Sequence, residues 1–157
     1  MAFASKGHRR RSMLPSEDDV QAMLADHIAW HNAKLLRLRA VWSFNYLAGV
    51  RLPLHIAVRA KRLGVKRALP DFDMKLRSGE YVGLALELKR PNFKLTKRNG
   101  EWRDEHTAEQ AEILDRLRAQ GWRAEFAVGY DEARRIFDAY LARAEADHKK
   151  LSTDVNK

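Results

Sequence analysis

The sequence predicts one α/β domain in which helices cover a single mixed sheet. Helical and alternating apolar periods interleave along the chain in the order α, β, α, β, β, α, β, α. The 157 residues suffice for one domain with a substantial core but hardly for two. We expect residues 1–15 to form a flexible basic arm, residues 16–142 the folded domain, and residues 143–157 a polar tail.

The first predicted helix leads directly into the first predicted strand. Ser16 is a suitable N-cap with Asp19 three residues further on, and a helical apolar period then runs to about Ala33 or Leu35. Apolar and polar residues alternate afterwards, which predicts a strand over residues 38–46. A short basic helix follows, with Pro53 in its first turn.

That basic helix ends at Gly64. Its cationic side chains, and one that precedes it, are candidates to contact a nucleic-acid backbone: Arg51, Lys61 and Arg62.

Two apolar runs with a turn between them predict a β-hairpin in the middle of the chain. The runs cover residues 72–76 and 81–88, and the turn is Arg77-Ser78-Gly79-Glu80. Because strand side chains alternate between faces, Glu87 and Lys89 share one face while leucines occupy the other. The small residues on the charged face, which we expect to leave open space beside the charges, are Ala85 and Gly83.

The hairpin can bring two carboxylates and an ammonium together. Pairing of its strands places Asp71 beside Glu87, with Lys89 two residues further on. Mg²⁺ and Mn²⁺ prefer oxygen ligands, and the carbonyl of Leu88 can point to the same ion. In such a site the lysine orients the attacking water or offsets the charge that develops on a phosphodiester. Asp73 is the main competitor of Asp71 for the ligand role.

Two flanking helices supply further candidates. Glu17 is an extra ligand, direct or through water, if the first helix crosses the sheet at this point. Its alternative role is to stabilise the N-terminus of that helix. Gln110 is a candidate to bond the scissile phosphate or the nucleophilic water, and its alternative role is a capping box with Thr107.

The chain after the hairpin is predicted as loop, helix, strand and helix. Residues 92–106 read as a mobile basic loop, in which Trp102 is the one tryptophan with a case for base stacking. A helix opens at Thr107, a strand covers residues 122–128, and Asp131 caps a last helix that ends near residue 142.

The composition favours a polyanionic partner. Lys and Arg total 30 against 21 Asp and Glu, which gives a formal net charge of +9. Phosphate contacts release condensed counterions, so such a chain favours nucleic acid. Further cationic residues expected to contact DNA follow the hairpin: Arg90, Lys94 and Lys97.

Several site classes are excluded by the same sequence. The absence of cysteine rules out disulfides and thiolate metal sites. No apolar run approaches the roughly 18 residues of a membrane-spanning helix, so we expect no membrane partner. His27 and His31 lie four residues apart, but no Glu stands beside His27, so the zinc-protease pattern is absent and we expect both on the helix surface or partly buried.

A series of short motifs runs from Ala57 to Leu141. In order they are Lys61-Arg62-Leu63-Gly64-Val65, Pro70-Asp71, Gly83-Leu84-Ala85-Leu86-Glu87-Leu88-Lys89-Arg90-Pro91, Ala108-Glu109-Gln110, Gln120-Gly121-Trp122, and Gly129-Tyr130-Asp131-Glu132-Ala133 with Tyr140-Leu141. This combination resembles the VRR-NUC domain, the virus-type replication-repair nuclease branch of the PD-(D/E)xK superfamily. Glu17 with Gln21, and Asn45, are similar to further family positions.

Two departures from the family pattern stand out. Arg67-Ala68-Leu69 separates Gly64-Val65 from Pro70-Asp71, whereas the family has Gly-Val directly before Pro-Asp. The loop before Gln110 is longer than the usual link, which suggests an insertion that contacts substrate.

The resemblance implies a restriction-endonuclease-like fold and Mg²⁺- or Mn²⁺-dependent hydrolysis of DNA. The family's metal ligands map onto Glu17, Asp71 and Glu87, its catalytic lysine onto Lys89, and its helix glutamine onto Gln110. Small members of the family are phage or bacterial proteins, so the resemblance implies a cytoplasmic homodimer that acts on branched DNA such as Holliday junctions. The alternatives are a catalytically inactive nucleic-acid-binding accessory module and a basic RNA-binding protein.

Overall fold

A computed structural model of the chain describes residues 14–45, 53–62 and 69–154. Within these ranges the helices are α1 (Glu17–Trp30), α2 (Asn32–Arg37), α3 (Leu54–Arg62), α4 (Glu105–Ala119) and α5 (Tyr130–Asp154), and the strands are β1 (Val41–Phe44), β2 (Phe72–Lys75), β3 (Leu84–Lys89) and β4 (Arg123–Val128). The predicted α/β class, with one mixed sheet flanked by helices, is confirmed.

The four strands form one sheet in the order β1-β2-β3-β4. The first two pairings are antiparallel, and β3 pairs with β4 in parallel through the crossover helix α4. All six residues of β3 are buried because the strand is central and covered on both faces. The predicted hairpin is confirmed, and the charged end of β3 lies at the carboxyl edge of the parallel pair.

One face of the sheet packs against α1 and α5. The large side chains that are fully buried there include Leu24, Ile28, Phe72, Met74, Leu84, Leu86, Leu88, Phe137, Tyr140 and Leu141. Burying each stabilises the fold by about 1.5–3 kcal/mol relative to exposure. The three leucines of β3 therefore occupy the apolar face that their alternation predicts.

The opposite face of β3 packs against α4. Ala85 contacts Leu114 and Ala124 there, and Trp122 packs against this cluster. A Cβ atom added at Gly83 would overlap the ring of Trp122. Helix α4 and the indole therefore fill the space at Ala85 and Gly83, while the open space expected beside the charges lies at Glu87 and Lys89.

The predicted first helix is divided at His31, a correction to the single helix expected up to residue 33 or 35. Ser16 does cap α1 through a capping box with Asp19. At His31 the backbone leaves the helical region (φ −91°, ψ 7°), and α2 begins at Asn32. This break redirects the chain while Leu35 of α2 stays in the core.

The first strand is shorter than the predicted residues 38–46. Leu38 ends α2, Arg39 adopts a left-handed conformation (φ 55°), and the N–H of Ala40 bonds the carbonyl of Leu35. Helix termination therefore uses residues whose alternation resembled a strand, and β1 covers residues 41–44. Residue 46 lies outside the described residues, as does the predicted helix end at Gly64.

Helix α4 differs from the prediction at its start, and helix α5 differs at both ends. Asp104, not Thr107, caps α4, because its side chain accepts the N–H of Thr107 over 2.8 Å. Helix α5 begins at Tyr130, so Asp131 lies in its first turn, and it continues to Asp154 instead of ending near residue 142. The extension is held by Glu145, whose carboxylate pairs with Lys34 of α2.

The loop between β3 and α4 contains paired backbone. Lys97 N–H donates to the carbonyl of Glu101 and Arg103 N–H to that of Leu95, both over 2.8 Å. Its predicted mobility stays a prediction. No helix in the three described ranges has the length and apolar composition needed to cross a bilayer.

Candidate active site

A cleft opens at the carboxyl end of β3, between the start of α1 and the first turns of α4. The residues that line it are Glu17, Asp71, Glu87, Lys89, Phe93, Asp104, His106, Thr107 and Gln110. Five side chains singled out in the sequence thus meet in one place: Glu17, Asp71, Glu87, Lys89 and Gln110.

Strand register determines the position of Asp71. Phe72 pairs with Leu86, so the residue before Phe72 lies opposite Glu87. The carboxylate of Asp71 accepts the backbone N–H of Leu88 at Oδ2 over 2.7 Å. Burial raises the pKa of this carboxyl, while the Leu88 N–H and the charge of Lys89 act in the opposite direction. Asp71 therefore lies beside Glu87 as the hairpin predicts.

The segment before Asp71 is fastened to the end of β1. The side-chain amide of Asn45 donates to the carbonyl of Pro70 over 2.7 Å, and the backbone N–H of Asn45 donates to the carbonyl of Asp71 over 2.8 Å. These two bonds align the chain at the entry of β2 and hold Asp71 at the cleft.

Glu87 is the most buried charged side chain of the cleft, with 2% exposure. Its Oε1 accepts from Lys89 Nζ over 2.9 Å and also from Gln110 Nε2. Burial first, and then the neighbouring charge of Asp71, raise the pKa of Glu87 to about 8. Two carboxyl groups held this close resist joint ionisation unless a cation joins them.

Lys89 is 4% exposed, an unusual environment for an ammonium group. Besides Glu87, it faces the ring of Phe93, with Nζ 5.7 Å from the ring centroid. The guanidinium of Arg103 lies 4.7 Å from the same centroid. Both cations therefore lie over the Phe93 ring.

Gln110 belongs to the site and not to a helix cap, which corrects its alternative capping role. Asp104 takes over the cap and accepts both the N–H and the hydroxyl of Thr107. Gln110 is 5% exposed, and its Nε2 donates to Glu87. Its Oε1 is buried without a hydrogen-bond partner among the described residues, an arrangement that ordinarily signals a missing ligand or water.

Glu17 is the first residue of α1 and lines the cleft. Its charge is near enough to raise the pKa of Asp71, although as the last of the causes. Glu17 therefore combines the two positions expected of it, a helix N-terminus and the edge of the carboxylate cluster.

The competing aspartate, Asp73, has other partners. Its carboxylate accepts from Ser43 Oγ over 2.5 Å and forms an ion pair with Lys75. Asp73 pairs with Ala85 in the sheet and is absent from the cleft lining. The geometry thus favours Asp71 over Asp73 as a ligand.

Within the part of the chain that the structure describes, the cationic residues expected to contact DNA do not gather at the cleft as the five predicted site residues do. Arg51 lies outside the described residues, as does the side chain of Lys61. The exposed ones are Arg62 at the end of α3, Arg90 directly after β3, and Lys94 and Lys97 in the following loop. None of these four belongs to the described lining of the cleft, so they would meet a ligand outside it.

Four lining residues were not anticipated as part of the site: Phe93, Asp104, His106 and Thr107. Phe93 is the lone Phe in a polar loop, and Asp104 precedes Thr107 by the three residues of a helix cap, so both carried a local signal. Hydrogen bonds from Thr107 lower the pKa of Asp104, which keeps a carboxylate at the rim.

The donor set fits a hard divalent cation. Asp71, Glu87 and Glu17 offer carboxylate oxygens, and Gln110 offers a buried amide oxygen without a partner. The N–H and C=O of one strand residue point to the same side, so the carbonyl of Leu88 faces the edge where its N–H meets Asp71. Burial and then the charge of Asp71 raise the pKa of Glu87, and Mg²⁺ or Mn²⁺ would offset the charge of both carboxylates.

Comparisons with known proteins support the fold. No family profile matches the chain, and no curated protein matches it. A solved structure described as a VRR_NUC domain protein is similar to it, with a TM-score of 0.55 and 23% sequence identity over 82% of this chain and 90% of the other. The chain therefore shares the α/β fold of a VRR_NUC domain protein.

Proposed function

We propose that this chain is a Mg²⁺- or Mn²⁺-dependent nuclease that hydrolyses phosphodiester bonds in DNA. The observation that carries the proposal is the buried contact of Glu87 with Lys89 and Gln110, beside Asp71. Burying carboxylates against each other is costly, and it is understandable where a cation and an anionic substrate complete the site. The shared fold with a VRR_NUC domain protein points the same way.

The ligands proposed for the cation are Asp71, Glu87, the Leu88 carbonyl and Glu17. When bound, the ion polarises a phosphoryl oxygen and lowers the pKa of a water molecule. Asp71 keeps its orientation through the N–H of Leu88, which leaves its other carboxylate oxygen for the ion. Glu87 likewise uses one oxygen for Lys89 and Gln110.

Lys89 and Gln110 act on the nucleophile and the phosphate. The Lys89 ammonium lies 2.9 Å from Glu87 Oε1, and it orients the attacking water or stabilises the charge that grows on the phosphate oxygens. The Oε1 atom of Gln110 accepts a hydrogen bond from that water. Lys89 is the last residue of β3 and Gln110 lies in the second turn of α4, so regular secondary structure positions both side chains.

The substrate proposed is branched DNA, and the active form proposed is a homodimer, because symmetric cutting of a four-way junction needs two sites. The setting inferred from the resemblance is replication or repair in the cytoplasm of a bacterium or a phage-infected host. Exposed Arg90 and Lys94, close in sequence to the cleft residues Lys89 and Phe93, would contact the phosphates of the flanking DNA.

The test is a cleavage assay on a panel of duplex, single-stranded, flapped and four-way-junction DNA, with RNA as a further substrate. Cleavage with Mg²⁺ or Mn²⁺ that a chelator abolishes is the expected result. Lys89→Met should lose cleavage yet retain metal binding, measured by calorimetry. If the folded wild-type protein binds DNA but neither binds metal nor cleaves any of these substrates, the chain is a nucleic-acid-binding accessory module instead.

A further inference from the structure

A second cluster of metal-ligating side chains joins α1 to α5. His27 lies in the last turn of α1, His31 is the C-cap of that helix, and Asp138 faces both from α5. His27 is ten residues along α1 from Glu17, roughly 15 Å at the rise of an α-helix. The cluster is therefore separate from the carboxylates of the cleft.

The three side chains present their ligand atoms to one another. His27 Nε2 lies 2.6 Å and His31 Nε2 3.6 Å from the same Oδ1 atom of Asp138. All three ligand atoms lie within 4.8 Å of one another. Ligands of a tetrahedral ion are separated by roughly 3.4 Å when metal–ligand distances are near 2.1 Å. Side-chain shifts of roughly an ångström would reach that geometry.

The surroundings suit a cation that prefers imidazole. The side chains of His27 and His31 are 19% and 26% exposed, so both imidazoles are partly shielded from water. The competing cations are weakly engaged: Arg134 Nε lies 3.6 Å from Asp138 Oδ2, and Lys34 is paired with Glu145 over 3.0 Å. The side chain of Asp138 is 40% exposed, so water can complete the coordination.

We propose that His27, His31 and Asp138 form a site for one zinc-class transition-metal ion, which Zn²⁺, Co²⁺ or Ni²⁺ can occupy. Two imidazoles and one carboxylate select these ions over Mg²⁺, which favours all-oxygen sites. The ion replaces a direct His27–Asp138 hydrogen bond by three coordinate bonds between α1 and α5. Because α1 begins with Glu17, a metal ion bound here would also fix the position of the helix that carries one acid of the cleft.

The experiment uses the tag-free full chain and Co²⁺, whose visible absorption reports tetrahedral coordination. The wild type should bind one Co²⁺ with such a band, and Zn²⁺ should displace it. His31→Ala should weaken binding by at least about tenfold, since it removes one of three ligands. His31→Ala leaves the 2.6 Å His27–Asp138 hydrogen bond in place, so this variant should still fold. If His31→Ala does not fold, His31→Gln provides a second variant.

Two controls separate this site from others. His148→Ala removes another imidazole of α5 and should leave the Co²⁺ band unchanged. Glu87→Gln removes a cleft carboxylate and should also leave it unchanged. Absence of the band in the wild type, or its persistence in both His31 variants, would overturn the proposal.

Discussion

The backbone N–H of Leu88 donates to Oδ2 of Asp71 over 2.7 Å, so a main-chain group of the central strand orients a side chain of its neighbour. The bond exists because the antiparallel register of β2 and β3 places Asp71 opposite Glu87. It links the formation of the sheet directly to the alignment of two acids.

The first prediction separates Asp71 from Asp73. Asp71→Asn keeps an oxygen for the Leu88 N–H but loses the charge that holds a cation, so the cleavage rate should fall by at least about a hundredfold. Asp73→Asn, whose carboxylate serves Ser43 and Lys75, should keep activity and change the free energy of unfolding by less than about 1 kcal/mol. Single-turnover cleavage and thermal unfolding of both variants measure this, and equal activity losses would reject the distinction.

The second prediction concerns pH. The pKa of Glu87 is raised to about 8 from an ordinary value of 4.5, so between these values the folded protein holds a proton that the unfolded chain has released. The contribution of Glu87 to the free energy of unfolding should therefore be greatest at low pH and fall as pH rises through that window. Unfolding of the metal-free wild type and of Glu87→Gln across the window measures the difference.

Metal reverses this trend because it replaces the proton on Glu87. The stabilisation by Mg²⁺ should accordingly grow between about pH 6 and about pH 8 in the wild type. In Glu87→Gln it should be small at both pH values. A Mg²⁺ effect that is independent of pH in the wild type would contradict the raised pKa.

The third prediction tests the cap of α4. Asp104→Ala should lower the free energy of unfolding by about 1 kcal/mol, because the N–H of Thr107 loses its acceptor. Asp104→Asn retains a cap oxygen and should remain close to the wild type. Chemical denaturation measures the free energy of unfolding of both variants. If Asp104→Ala is as stable as the wild type, Asp104 is not the cap and Thr107 is the remaining candidate.

The fourth prediction concerns the covered face of β3. Gly83→Ala should destabilise the fold by about 1–3 kcal/mol, since its Cβ would overlap the ring of Trp122. Trp122→Leu is the partner for a double-mutant cycle: the cost of Gly83→Ala should shrink in that background. If Gly83→Ala lowers the free energy of unfolding equally in both backgrounds, the overlap with Trp122 is not the cause of the destabilisation.

The sequence predicts the site better than the ends of the elements. Alternation along β3 assigns the leucines and the charges to opposite faces, and the hairpin makes Asp71 the neighbour of Glu87; both follow from periodicity and pairing. Neither Gly nor Pro stands at the helix break at His31, so the sequence does not predict that α1 ends there. The division between α1 and α2 depends on packing against the core, which the sequence period does not encode.

Two other errors have the same origin. Thr107 and Asp104 both qualify as caps by sequence, and the structure identifies Asp104, because its carboxylate accepts the N–H of Thr107. The end of α5 is polar in sequence, but Ala144 is buried and Glu145 bridges to α2, so tertiary contacts extend the helix.

The most direct measurement of the central claim is single-turnover cleavage of junction DNA with saturating Mg²⁺, comparing Glu87→Gln with Glu125→Gln. Glu125 lies on β4 beside Leu86, on the face of the sheet opposite Glu87, and pairs with Arg123. We predict that Glu87→Gln, folded and able to bind DNA, loses at least about a thousandfold in rate while Glu125→Gln cleaves as the wild type does. Undiminished cleavage by Glu87→Gln would contradict the assignment of this cleft as a nuclease active site.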